Sequence, residues 1–215
     1  MSQTYFISGI DTDAGKSYAT GWLAHKLMTE GKKVITQKFI QTGNIGKSED
    51  IEIHRRIMGT GLLAEDIDLT TAPVIFSYPA SAQLAARIDG CEIDLDIIDN
   101  ARKKLENCYD VVLVEGAGGL MVPITDDFYA IDYAATRNLP VILVTNSRLG
   151  SINHTILALE AIRNRNMRLD YVLYNTHFDS DKIIAADTRG FIKRYITRYF
   201  HDTEILDIPD IGNIM

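Results

Sequence analysis

A short apolar run, Tyr5-Phe6-Ile7-Ser8, turns through Gly9-Ile10-Asp11-Thr12-Asp13-Ala14-Gly15-Lys16-Ser17 straight into a helix-prone segment. No other stretch constrains the fold as much. A strand that leaves through glycines into a helix N-terminus points several unpaired backbone N–H groups one way, which suits phosphate oxygens. Lys16 adds a mobile positive charge, and Ser17 offers a hydroxyl in the first helical turn, where it can ligate the magnesium that travels with a nucleoside triphosphate. The usual loop has four residues between its first Gly and the Gly-Lys pair; here five separate Gly9 from Gly15. On spacing alone, a plain strand-to-helix turn that contains Gly-Lys-Ser stays open as the alternative.

Beyond this loop the chain alternates apolar runs with amphipathic segments. Thr4 to Ser8, Val34 to Ile40, Val111 to Glu115, Val141 to Thr145, Tyr171 to Asn175 and Ile205 to Ile208 read as strands. Helical patterns lie between them: Lys16 to Glu30, Leu95 to Glu106, Tyr129 to Asn138, Ile152 to Arg165 and Lys182 to Tyr199. Several strands are continuous Val/Ile/Leu runs, as expected for parallel strands covered on both faces. The pattern therefore predicts an α/β fold, a doubly wound, mostly parallel sheet flanked by helices, P-loop NTPase-like. With 215 residues, 46% of them hydrophobic, and no linker or repeat, residues 1–215 read as a single domain.

A net charge of −7 argues against a nucleic-acid or anionic-membrane surface. No apolar run approaches the roughly 20 residues of a membrane span, and Met1-Ser2-Gln3-Thr4 lacks a signal-peptide pattern, so the expected compartment is the cytoplasm. Cys91 and Cys108 lack metal or redox spacing and read as small buried hydrophobes, while His25, His54, His154, His177 and His201 read as surface or packing residues.

In a doubly wound sheet the residues just past each strand are the ones that meet ligand. Lys38 interrupts the second strand, where a buried lysine is costly unless it meets an anion; a snorkelling lysine at the sheet edge is the alternative. Ser48-Glu49-Asp50 reads as a helix start with acidic residues at the positive end of the dipole. Glu115 ends a buried strand and is followed by Gly116-Ala117-Gly118-Gly119, which suits a carboxylate that holds magnesium beside a closely approaching ligand. Ser151 opens a helix after Gly150, so a second anion could sit there, and the amide of Asn175 suits an adenine edge.

These segments together resemble the dethiobiotin synthetase family over nearly the whole chain and in the right order. The five-residue loop spacing is that family's own form. Lys38 to Gly43 resembles its Lys-Pro-x-x-[Ser/Thr]-Gly, Val114 to Gly119 its Val-Glu-Gly-Ala-Gly-Gly, Leu149 to His154 its Leu-Gly-[Ser/Cys]-Ile-Asn-His, and Ile208-Pro209 its late Ile-Pro. Phe39 stands in place of a usual Pro, Gln83 departs from a Pro-His context, and Leu206 replaces a common Gly.

The resemblance implies an ATP-dependent ligase that closes the cyclic urea of dethiobiotin from 7,8-diaminopelargonic acid and CO2, through a carbamate and a carbamic-phosphoric anhydride. It implies Lys16 and Lys38 as catalytic residues, and Ser17, Asp50 and Glu115 as ligands of Mg2+. Asp13, Ala14, Gly15, Lys16, Ser17, Tyr18, Glu115, Gly116, Asn175, Pro209 and Asp210 would bind nucleotide. Thr12, Lys38, Thr42 and Gly118 would bind the diamine. Family members are homodimers whose substrate carboxylate reaches a helix start of the partner, which here is Gly150, Ser151, Ile152 and Asn153.

Two rivals share the sheet and loop. Cobyrinic acid a,c-diamide synthases carry an additional glutaminase domain for which 215 residues leave no room. A partition-type switch ATPase would show a second lysine early in the loop, where this chain has Ile10, Asp11, Thr12 and Asp13.

Overall fold

The computed structural model describes residues 2–209. Strand β1 (Gln3–Gly9) leads through the glycine loop into α1 (Lys16–Thr29), and the chain returns as β2 (Val34–Lys38). The short β3 (Gln41–Thr42) follows, then α2 (Glu49–Met58), α3 (Ala64–Ile67), β4 (Ile75–Phe76), α4 (Ala82–Ile88) and α5 (Leu95–Glu106). The remainder alternates: β5 (Val111–Gly119), α6 (Ala130–Thr136), β6 (Val141–Asn146), α7 (Ser151–Asn164), β7 (Leu169–Asn175), α8 (Lys182–Tyr199) and β8 (Glu204–Ile208). Six strands form one parallel sheet in the order β2-β5-β1-β6-β7-β8, and β3 pairs with β4 in a separate two-stranded ribbon.

The continuous apolar runs are explained by burial on both faces. Phe6, Val112, Val114, Leu143 and Val172 join a core with residues of α4 to α8, while their neighbours Tyr5, Ile7, Val111, Leu113, Val144 and Leu173 join a second core with α1 and α2. Alternate side chains of a strand point to opposite faces, so helices on both sides demand apolar residues at every position.

Two expectations change. The second strand ends at Lys38 instead of Ile40, because Lys38 N–H donates to Thr71 O and the chain then leaves the sheet to pair Gln41–Thr42 with Ile75–Phe76. Cys91 and Cys108 are both exposed rather than buried, each lying just past the end of a helix. Phe39, in place of the usual proline, is a core residue set edge-to-face against Phe6 at 5.6 Å and tilted against Tyr133 at 4.5 Å between ring centroids.

Because all six strands run parallel, their carboxyl ends share one rim. Helix α2 is brought to that rim by close packing on α1. A Cβ on Gly21 would lie 3.0 Å from Ile57 Cβ and 3.3 Å from His54 Cα, so the absent side chain lets the two helices touch backbone to side chain.

Candidate active site

A cavity of about 540 Å3 opens at the carboxyl rim, walled by the glycine loop, the ends of β2, β5 and β7, and the N-terminal turn of α2. Gly15 caps α1 at φ 87° and ψ 33° without any side-chain cap, so the first-turn N–H groups face the loop and are available to an anion. Asn175, at the end of β7, closes on this turn: its Nδ2 donates to Ala14 O at 3.3 Å, while its Oδ1 accepts from His177 N at 3.1 Å.

Two lysines enter the cavity wall from different elements. Lys16 folds back over its own loop, with Nζ donating to Asp11 O at 3.0 Å and Thr12 O at 3.1 Å. Burial pushes its pKa down to about 8, with Lys38 adding to the fall and Glu115 opposing it. Lys38 is the deeper of the two. Its Nζ lies 2.7 Å from Glu115 Oε1 and 2.5 Å from Asp50 Oδ2, and donates to Gly116 O at 3.3 Å. Burial alone would lower the Lys38 pKa, but Glu115 and Asp50 overcome that and raise it, so the ammonium stays charged. Glu115 experiences the reciprocal effect: burial would raise it, yet Lys38 and His54 hold it well below the usual carboxylate range.

Three hard oxygen donors meet beside this pair. Ser17 Oγ is 2.7 Å from Asp50 Oδ1 and 3.1 Å from Glu115 Oε1. Its single proton can serve only one of them fully, which leaves an oxygen-rich point suited to a small hard cation. Among the described residues no group of three His, Cys, Asp or Glu forms a metal cage. A set of two carboxylates and a hydroxyl is the kind Mg2+ takes when phosphates and water complete its shell.

The residues alone read Asp50 as part of an acidic helix start and the resemblance made it a Mg2+ ligand; the capping is done by Ser48, which accepts from Ile51 N at 3.2 Å. Asp50 is thereby freed to face Ser17 and Lys38. Thr12, Asp13, Gly15, Tyr18, Thr42, Gly118 and Pro209 also line the cavity, while Ala14 and Gly116 contribute backbone just behind it. Asp210 lies outside the described residues. Gly150 and Ile152 are not brought to this cavity; they line a separate cleft of about 350 Å3 with Leu149 and Ile183. There Ser151 Oγ is engaged with Asn146 O at 2.7 Å, and Asn153 is exposed. Arg148, which also lines this cleft, pairs with Asp11 at 3.0 Å and donates to Asp13 O at 3.1 Å.

His54, read as a surface or packing residue, is fully buried, and it also meets the site, with Nε2 2.7 Å from Glu115 Oε2. The signal for it was its position four residues after Asp50, on the same helical face.

The parallel sheet, the glycine turn into α1 and the lysine and carboxylate cluster at the carboxyl rim define a nucleotide-binding protein of the P-loop NTPase-like class. Solved structures agree on the fold. The ParA family ATPase from Chlorobium tepidum TLS superposes with TM-score 0.57 at 16% identity, covering 99% of this chain and 87% of that one. The MinC:MinD cell division complex of Aquifex aeolicus gives TM-score 0.57 at 18% identity, covering 99% and 83%. Residues 3–211 match a family described as an AAA domain. Curated relatives are nearer in sequence. The ATP-dependent dethiobiotin synthetase BioD 2 of Pasteurella multocida is 44% identical over 220 residues, 98% of this chain and all of that protein. That of Haemophilus influenzae is 47% identical over 185 residues, covering 86% and 97%. The BioD of Chlorobaculum tepidum is 44% identical over 211 residues, covering 98% and 88%. The chain belongs to the ATP-dependent dethiobiotin synthetase family.

Proposed function

We propose that this chain, an ATP-dependent ligase by family, uses residues 1–215 as one catalytic domain to form the cyclic urea of dethiobiotin from 7,8-diaminopelargonic acid and CO2, releasing ADP and phosphate. The observation that carries the reading is the convergence of two buried lysines and two carboxylates at the glycine loop. Lys38 Nζ lies within 2.7 Å of Glu115 and Asp50, and Ser17 Oγ within 3.1 Å of the same two.

The chemistry asks for positioned charge rather than a covalent nucleophile. One amine of the substrate takes up CO2 as a carbamate and loses a proton. A carbamate oxygen then bonds to the γ-phosphorus as the bond to ADP breaks, and the neighbouring amine attacks the carbonyl carbon of the resulting anhydride. Phosphate leaves with the electron pair of the broken C–O bond, the attacking nitrogen gives up a proton to the departing phosphate or to water, and the ring closes.

Negative charge gathers on phosphoryl and carbamate oxygens throughout. In our reading Lys38 faces both sets, its charge secured by the carboxylates around it. Lys16 bridges the phosphates, and the backbone of Asp13, Ala14, Gly15 and Ser17 cradles them. Thr12, Thr42 and Gly118 seat the diamine on the same wall, while Tyr18, Asn175 and Pro209 border the base. Asp210, assigned to the base by resemblance, lies outside the described residues. Ser17, Asp50 and Glu115 would hold Mg2+, which when bound withdraws negative charge from the phosphate oxygens.

The start of α7, with Gly150 and Ile152 lining their own cleft, lies apart from the cavity within one chain, which fits a homodimer in which the substrate carboxylate reaches Gly150, Ser151, Ile152 and Asn153 of the partner subunit. We place the enzyme in the cytoplasm, without nucleic-acid or membrane partners; among the described residues no helix is long and apolar enough to cross a membrane. The test is ADP release measured with and without diamine and bicarbonate, with the product identified by mass. Turnover that requires both and yields dethiobiotin supports the reading. ATP hydrolysis indifferent to both additions overturns it in favour of a switch ATPase.

A further inference from the structure

His54 contributes nothing to the solvent-facing wall of the cavity, yet it sits at the centre of a directed polar chain. Its Nδ1 lies 3.0 Å from Thr36 Oγ1 and its Nε2 2.7 Å from Glu115 Oε2. Thr36 Oγ1 also accepts an N–H from Arg55 at 2.8 Å. The guanidinium is fixed in turn by two 2.8 Å bonds to Asp66.

Proton direction follows from these partners. A guanidinium only donates, so Thr36 is the acceptor toward Arg55 and has its own hydroxyl proton to give to His54 Nδ1. Glu115, held ionised, only accepts, so His54 Nε2 carries the hydrogen aimed at it, while the Thr36 hydroxyl meets Nδ1 on the other side of the ring. The two oxygens of Glu115 are thus divided. Oε2 is committed to His54, while Oε1 faces Lys38 at 2.7 Å and Ser17 at 3.1 Å.

We propose that His54 is a positioning residue that holds the Glu115 carboxylate so that Oε1 is presented to the cation site, with Thr36 and Arg55 fixing the imidazole ring from behind. This rests on the reading that Ser17, Asp50 and Glu115 hold Mg2+. Hydrogen-bond partners behind a ligating carboxylate set its orientation and weigh heavily on metal affinity. A histidine that only filled space between α2 and β5 could be replaced by leucine without touching the metal requirement.

The experiment is calorimetric binding of a non-hydrolysable ATP analogue across a Mg2+ titration. It compares wild type with His54→Leu, His54→Gln, Thr36→Val and Glu115→Gln, with thermal melts to check folding. His54→Leu is expected to raise the half-saturating Mg2+ concentration roughly 10- to 100-fold while metal-free analogue affinity stays unchanged. His54→Gln, whose amide can still donate to Oε2, is expected to recover most of the loss, and Thr36→Val to show a smaller shift in the same direction. A folded His54→Leu with the wild-type Mg2+ requirement overturns the proposal. So does an equal loss of metal-free and metal-dependent binding, or a His54→Gln variant no better than leucine. If leucine prevents folding, Thr36→Val decides, and an unchanged Mg2+ requirement there overturns it. Glu115→Gln separates the two levels: no shift in that variant removes the metal reading itself, whereas a shift there without one in His54→Leu removes only the positioning role.

Discussion

Lys38 and Glu115 are register partners on the adjacent strands β2 and β5, and their charged ends meet at 2.7 Å with almost no solvent contact. Removing one member of a buried pair strands the other, at a cost of roughly 3 kcal/mol. Lys38→Ala is therefore expected to abolish ring closure, leave nucleotide binding largely intact, and lower the unfolding midpoint. Mg2+ should raise that midpoint more in the variant than in wild type, because a cation near Asp50 and Glu115 replaces the missing ammonium. Turnover at the wild-type rate would remove Lys38 from its role.

Lys16 gives the site a pH dependence of opposite sign for the empty fold and for nucleotide binding. Its pKa is lowered to about 8 from an ordinary 10.5, so between those values the unfolded chain binds more protons and the ligand-free fold gains stability as pH rises. Nucleotide binding runs the other way. Phosphate favours the ammonium, so affinity should fall as pH climbs past 8, and at pH 9 binding should take up about one proton. Calorimetry in buffers of different ionisation enthalpy reads this directly. Lys16→Arg should abolish the uptake, and Lys16→Ala should weaken nucleotide binding roughly 10- to 100-fold at pH 7.

Gly15→Ala combines two costs, a left-handed φ of 87° and a Cβ placed 2.2 Å from Asn175 Nδ2. The expected loss is about 1–3 kcal/mol of stability, together with weakened nucleotide binding. In an Asn175→Ala background the same substitution should cost less, since part of the clash is gone. Denaturant melts of the four proteins form the cycle, and strict additivity would contradict the contact.

The reading of α7 as the seat of the partner's substrate carboxylate also has a sharp consequence. Asn153 is exposed in the first turn of that helix. Asn153→Asp adds a negative charge where an anion is to be received, so KM for the diamine should rise about fivefold while KM for ATP stays put. A dimer by sedimentation is expected alongside, and equal changes in both KM values would argue against the placement.

Away from the cavity, Asp66 anchors Arg55 in an enclosed pair. Burial would raise its carboxyl, but Arg55, Leu63 N–H and Thr71 hold it below 3.8. Its contribution is thus present above pH 3.8 and is lost as pH falls through the lowered value. Asp66→Asn should cost roughly 3 kcal/mol at pH 7. The gap between variant and wild type should close in acid, as read by urea midpoints.

The sheet was legible because strands covered on two faces need apolar residues at every position, a pattern that survives without any tertiary information. Helix ends were legible within a residue or so at α1, α5, α7 and α8. The two-residue strands β3 and β4 carry no period at all, and only the hydrogen bonds of Gln41 and Thr42 to distant partners define them. At the site, the glycine loop, Lys38 and Glu115 announced themselves as polar interruptions of apolar runs. Asp50 was marked only through the family resemblance, and His54 not at all. Their roles exist only because α2 is drawn against α1 at a glycine, which brings His54 to a carboxylate 61 residues away.

That close approach at Gly21 has a mechanical side. Asp50 and His54 ride one turn apart on a single stiff rod, one offering an oxygen to the cavity and the other bracing Glu115 from behind. When the rod slides or tilts against the sheet, both ends of this vice travel together, so the spacing between its jaws is set by helix pitch rather than by the softer coordinates of a loop.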